Sequence, residues 1–207
     1  MGEEYWSAVR AVRLQIADLL DALSAEEWEA PSLCTQWRVR DVAGHVALVP
    51  TITTWELLSV APRAGFNMHR MNTLTARRAG SAPTDSIVRK LRQHAADRTT
   101  ARVLNVADSL FDVVVHSQDI ARPLGRKLAV PADVTRAGLE RVWAMGWPFN
   151  APKKLAGLRL TATDTDWAVG TGPEINGSAI DLLLLLTGRT TTVIDELHGA
   201  GVVRISQ

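Results

Sequence analysis

Apolar side chains in the N-terminal half recur at helical intervals. Tyr5, Val9, Val12, Ile16, Leu19 and Leu23 are spaced 4, 3, 4, 3, 4, the stripe of an amphipathic helix facing a core. Ser24-Ala25-Glu26-Glu27 is a capping-box pattern that starts a second, short helix, and Ala30-Pro31 stops it. Val42, His45, Val49 and Ile52 keep a 3, 4, 3 spacing, so a long helix is expected from near Arg38, kinked or ended by Pro50. Residues 61–83 carry prolines, glycines and five basic side chains, Arg63, His69, Arg70, Arg77 and Arg78, and read as a connector with some helix. Thr84, after Pro83, is placed to cap a further helix with Ile87, Leu91 and Ala95 inward. Another spans about Ala107 to Arg122, closed by Pro123 and Gly125. Four long antiparallel helices with one long connector predict a bundle.

The pattern changes after Gly125. Pro131 opens a helix through Trp143, and Leu158-Arg-Leu-Thr-Ala-Thr alternates at period two, as a strand does. Thr165–Val169 is its expected hairpin partner, Gly170 to Gly177 a turn-rich loop, and Ser178 the cap of an apolar helix over Ala179–Leu186. Val202–Ile205 reads as a last strand. The organisation expected is a helical bundle over residues 1–127 and a small α/β subdomain over 128–207.

Composition narrows the function classes. In 207 residues, Lys and Arg number 23 against 22 Asp and Glu, a net charge of +1 that argues against a nucleic-acid surface. The longest apolar run, Leu182 to Leu186, is far too short to span a bilayer. A single cysteine, Cys34, excludes an internal disulfide and any multi-cysteine zinc site, and Met1-Gly2-Glu3-Glu4 lacks the pattern of a secretory leader. The cytosol is the expected compartment. Cys34 reads as a small buried filler, Trp28 and Trp37 as anchors packing their loop onto the bundle, and His94 and His198 as solvent-facing. The Gly170-x-Gly172 loop lacks the spacing of a dinucleotide fingerprint.

The candidate chemistry lies on two helices. Asp112 and His116 are four residues apart, hence on one helix face, and Asp119 follows on the same side. Such a pair can grip a divalent ion, with a further carboxylate orienting the imidazole, although Asp-x-x-x-His also occurs as an ordinary surface pair. His45 sits on the apolar stripe of its own helix, where a lone histidine is commonly a satisfied core residue. In a bundle the three side chains can converge, and three protein ligands leave an open fourth position, as catalytic zinc sites do. The same donors admit nickel, iron or manganese. The basic connector can attract an anionic ligand, with Asn67 and Asn72 lining its site.

Trp28-x-x-Pro31-Ser32-x-Cys34-x-x-Trp37-x-Val39-Arg40-Asp41-Val42-Ala43-Gly44-His45 resembles the opening signature of the mycothiol-dependent maleylpyruvate isomerase family, within the DinB-like superfamily. Asp112-Val113-Val114-Val115-His116-Ser117-Gln118-Asp119, running on to Gly125, resembles its second metal motif. Ala162-Thr163-Asp164-x-Asp166-Trp167-x-x-Gly170-x-Gly172-Pro173, then Asp181–Arg189, is similar to its small C-terminal domain. The resemblance implies a mainly α protein, a DinB-like four-helix bundle followed by that α/β subdomain. It implies a divalent metal, zinc first, on His45, Asp112 and His116, with Asp112 standing where the family more often has Glu. It implies that Arg189 serves the reaction, and that the chain, as monomer or weak dimer, turns mycothiol, a low-molecular-weight thiol, on a small electrophile by transfer or cis–trans isomerisation. A non-catalytic DinB-like binding protein and a metal-dependent hydrolase are the alternatives.

Overall fold

A computed structural model describes residues 2–206, which divide into two compact units, residues 2–128 and 129–206. The protein is mainly helical, with a small three-stranded sheet in the second unit.

In the first unit, α1 (Glu3–Asp21) buries Val9, Val12, Ile16, Ala17 and Leu20. Leu19 is only half-buried and Leu20 takes its place, because a helix of 3.6 residues per turn drifts off a strict 3-4 pattern. The short α2 (Ala25–Glu29) starts at the expected capping box, with Ser24 accepting from the Glu27 amide and Glu27 accepting from the Ser24 amide. α3 (Val39–Leu48) stops two residues before Pro50, so the proline ends this helix rather than kinking it. α4 (Thr54–Val60) is held by a second capping box, Thr53 with Glu56.

The stretch read as a connector contains α5 (Met68–Gly80), a full helix that packs extensively on α3. Its buried face is Met71, Thr75, Ala76 and Gly80, where a single large apolar side chain among small or polar ones gives no apolar stripe. They are small because the backbones nearly touch: a Cβ on Gly44 would fall 2.4 Å from the Gly80 amide nitrogen. α6 (Thr84–Gln93) follows, with Thr84 as its first residue and Pro83 in the cap position, so Thr84 does not cap it. α7 (Ser109–Ala121), preceded by one 3₁₀ turn, is the central helix, with every residue except Asp112 buried. α1 packs on α6 and α7, and α3 on the same two, which makes α1, α3, α6 and α7 the four-helix bundle.

In the second unit, α8 (Ala132–Ala144) and the short α9 (Ala151–Lys154) precede a sheet of order β2-β1-β3, with β1 at Arg159–Ala162, β2 at Ala168–Gly170 and β3 at Glu174–Gly177. β1 pairs antiparallel with β2 through Leu160↔Val169, as a hairpin should. It also pairs in parallel with β3 through Leu160↔Ile175, where a loop was expected. Gly170 and Gly172 sit at φ +75° and +123°, where any Cβ would lie 2.2 Å from the carbonyl oxygens of Leu158 and Gly157, so these glycines let the chain turn tightly against β1. α10 (Ala179–Leu186), capped by Ser178 and packed on α8, is apolar on every side except at Asp181 in its first turn, in keeping with burial of all its residues but Ile180. The expected last strand is instead a 3₁₀ turn at Val202–Arg204, and the third sheet position is filled by β3. Among the described residues no helix is long and apolar enough to cross a membrane.

Candidate metal centre

Where α3 faces α7, three side chains meet. His45 Nε2 lies 3.8 Å from Asp112 Oδ1, and His116 Nε2 lies 3.5 Å from the same oxygen. All three donor atoms fall within 4.8 Å of one another, and the two imidazole rings meet edge to face at 4.8 Å. Both histidines are at least nine-tenths buried, whereas the Asp112 side chain keeps 30% of its exposure, so the group opens on the carboxylate side.

Local sequence orients each donor on its own helix. Asp41, 1% exposed, accepts from the Arg38 amide and from two nitrogens of the Arg38 guanidinium at 3.0 Å each, which fixes the start of α3 and thereby the azimuth of His45 one turn on. The i, i+4 spacing places Asp112 and His116 on one face of α7. Asp119, one turn further and fully buried, accepts from His116 Nδ1 at 2.8 Å. That bond holds the proton on Nδ1 and leaves Nε2 directed at Asp112 and His45.

The donor set fits a divalent cation. Ligands at about 2.0–2.1 Å around a tetrahedral ion are roughly 3.3 Å apart, close to the two carboxylate–imidazole distances here. His45 Nε2 is buried with no hydrogen-bond partner, since Asp112 is beyond bonding distance. A buried polar atom without a partner is costly, and a cation at this point satisfies it. In the metal-free chain, burial pushes the His116 pKa down, but the charge of Asp112 and the bonds to Asp112 and Asp119 outweigh it and hold this imidazole well above an ordinary histidine. Asp112 mirrors this: burial raises its pKa, the two imidazoles lower it more, and the carboxylate is ionised throughout the physiological range.

Several neighbours were not singled out by sequence pattern. The Trp37 indole lies against both imidazoles, 5.4 Å from His45 and 6.2 Å from His116 between ring centres, and its Nε1 donates to Thr73 on α5. It packs its loop as expected, and what it packs on is the donor group itself. Cys34 is a half-buried thiol that donates to Asp119 Oδ2 at 3.1 Å and lies 3.8 Å from His116 Nδ1, so Cys34, His116 and Asp119 form a second cluster sharing one imidazole. Arg13, on the inward face of α1 and 3% exposed, donates to the carbonyls of Ala95 and Asp97, and its charge acts on Asp112. A charged residue interrupting an apolar helix face was the readable signal for it.

The remaining candidates lie elsewhere. Asn67 is the N-cap of α5, its Oδ1 accepting from the Arg70 amide, and Asn72 is exposed on that helix; neither belongs to the donor group. Arg189 follows α10 in the second unit and donates to the Thr187 carbonyl at 2.7 Å. His94 is half-buried and pairs with Asp97, while His198 is exposed.

Residues 9–110 match the mycothiol maleylpyruvate isomerase N-terminal domain family. No curated protein matches the sequence. Among solved structures, a mycothiol-dependent maleylpyruvate isomerase is similar at 15% identity and a TM-score of 0.63, and a histidine-to-alanine variant of such an enzyme at 14% and 0.64. Each likeness covers 96% of this chain and 92% of the other, and at such identity what is shared is the fold. With a bundle of this architecture and the match running from α1 into α7, the chain belongs, through its helical unit, to the mycothiol maleylpyruvate isomerase N-terminal domain family.

Proposed function

We propose that the chain is a metal-dependent enzyme that uses mycothiol as a thiol nucleophile on a small electrophile, either transferring the thiol or isomerising a cis double bond. His45, Asp112 and His116 hold the divalent ion, and zinc suits two imidazoles and one carboxylate. One observation carries the reading: His45 Nε2 is buried, unpartnered and directed at the same oxygen that His116 faces. The chemistry such a cation supplies is to lower the pKa of a thiol, so that it is ionised near neutral pH in the form that attacks an electrophilic carbon.

The chain's own residues do the rest. Asp119 keeps the proton on His116 Nδ1. Trp37 covers one side of the imidazole pair and shields it from water. Asp112 and Asp119 place two negative charges around the imidazoles, and buried Arg13 offsets one of them. Arg189 is assigned to a substrate carboxylate, which its planar fork can grip bidentately. The proposed compartment is the cytosol, where the lone Cys34 stays reduced.

The test is elemental analysis of protein purified without chelator, then calorimetric titration with mycothiol and turnover of a panel of electrophiles. Bound metal, with mycothiol consumed or a cis substrate converted only when metal is present, supports the reading. Metal-loaded protein that leaves both thiol and electrophiles untouched overturns it in favour of a binding role. Recovery of the thiol after conversion identifies isomerisation, and its loss into product identifies transfer.

A further inference from the structure

On another face of α3, one residue before His45, lies a cavity of about 290 Å³ enclosed by α3, α4, α5 and α6. Its wall is apolar: Ala47, Leu48, Ile52, Val60 and Ile87. Small side chains keep it open, since Ala79 and Ala82 line it where a leucine would fill it. At that volume it holds the equivalent of roughly ten water molecules, the low end of ligand pockets.

Its charged groups are positive in excess. Arg78 and Lys90 both line it, and neither has an ion-pair partner within 4 Å among the described residues. Arg38 and Arg40 pair with Glu29, Arg92 with Asp18 and Asp21, and Arg98 with Glu3, so the carboxylates near those arginines are taken; what sets Arg78 and Lys90 apart is that they flank an apolar cavity. The one carboxylate at the cavity, Glu56, is engaged, its Oε2 accepting from the Thr53 amide and hydroxyl at 2.8 Å each as the α4 cap. Two cations thus stand against one carboxylate, whose charge acts on both, which leaves one positive charge in excess, and the Ser86 hydroxyl is a further donor at the same site. A low-polarity wall beside an excess of fixed positive charge complements an amphiphile with an anionic head.

We infer that this cavity is a second small-molecule site, separate from the metal group, that takes an amphipathic monocarboxylate: an apolar chain or ring of about six to eight carbons against the wall and its carboxylate at Arg78 and Lys90. Neither the metal group nor its thiol chemistry enters this assignment, so it stands or falls independently of the proposed reaction.

The probe is octanoate, titrated into the protein as purified and followed by methyl shifts in ¹H–¹³C NMR, with octylammonium as the charge-reversed control. The expected result is saturable 1:1 binding that moves the methyls of Ile52, Ile87 and Leu48. Octylammonium binds about tenfold more weakly or not at all, and Arg78→Ala with Lys90→Ala weakens octanoate by about tenfold. Ala82→Trp fills the space and abolishes the shifts. The Arg78 and Lys90 side chains are solvent-accessible, so that double variant folds and keeps the test decisive should Ala82→Trp not fold. Asp112→Ala leaves octanoate binding intact, which separates this site from the metal group. No saturable shift, equal affinity for octylammonium, or loss of binding in Asp112→Ala overturns the assignment.

Discussion

His45→Leu separates a metal-binding role for this histidine from a structural one, because the two predict opposite signs for stability. In the metal-free chain His45 Nε2 is a buried nitrogen without a partner, and its ring is 8% exposed. An unsatisfied polar atom of this kind costs about 1–3 kcal/mol, and leucine removes it at similar volume. Lost ring contacts with Trp37 and His116 return about 1 kcal/mol of that. The net expectation for metal-free protein is a variant as stable as the parent or up to about 2 kcal/mol more so, a rise in Tm of about 0–8 °C. Metal binding moves the other way. Removing one of three ligands from a site worth roughly 10 kcal/mol costs about 3 kcal/mol, or about a hundredfold in affinity. Zinc therefore raises the Tm of the parent and leaves that of the variant nearly unmoved at the same concentration. Thermal unfolding with chelator and with zinc, together with a competition titration, reads both quantities. A metal-free variant 2 kcal/mol or more below the parent, or one that keeps its zinc shift, refutes the argument.

Four further outcomes follow from the structure. With His116 held well above an ordinary histidine, the metal-free chain carries an imidazolium at pH 7, and ligation expels about one proton; calorimetry in buffers of different ionisation enthalpy measures it, and a slope of zero contradicts it. Without metal, this raised pKa stabilises the fold fully below about pH 6.5, the unfolded value, and the contribution is lost as pH rises through the folded value, so chelator-treated protein melts at lower temperature at pH 9 than at pH 6.5 while zinc-loaded protein does not. Asp119→Ala removes the acceptor at His116 Nδ1 and lowers metal affinity by about 10–100-fold without touching a ligand, which competition titration detects. Gly80→Ala drives a Cβ to 2.7 Å from Asp41 Cα and 2.8 Å from the Arg40 carbonyl oxygen, backbone atoms with little room to yield, and costs about 2–3 kcal/mol by denaturant unfolding.

The elements legible in the sequence are those whose signal is local. The stripe of α1, the capping box of Ser24, the apolar α10 and the alternation of β1 each follow from residues a few positions apart. The i, i+4 relation of Asp112 and His116 is of the same kind, fixed as soon as α7 is a helix. Elements that form for a long-range reason were misread. α5 looked like a connector because its buried face is small, and it is small only because Gly44 of α3 presses on Gly80. β3 looked like a loop because Gly170, Gly172 and Pro173 precede it, and those two glycines serve the close passage of the chain along Gly157 and Leu158, more than ten residues away. The 3₁₀ turn at Val202–Arg204 has the composition of a strand, but the outer edge of β3 is already met by His198 and Gly201, which bond to Asn176 and Glu174.

What the chain determined alone is therefore its helices, their inward faces and the donor atoms those faces carry. What only tertiary structure decided is convergence: that His45 meets Asp112 and His116 across two helices, that Trp37 closes over the imidazoles, and that Cys34 reaches Asp119. Helical periodicity sets the azimuth of a side chain, while the meeting of two azimuths depends on packing between segments some seventy residues apart, which no local pattern encodes.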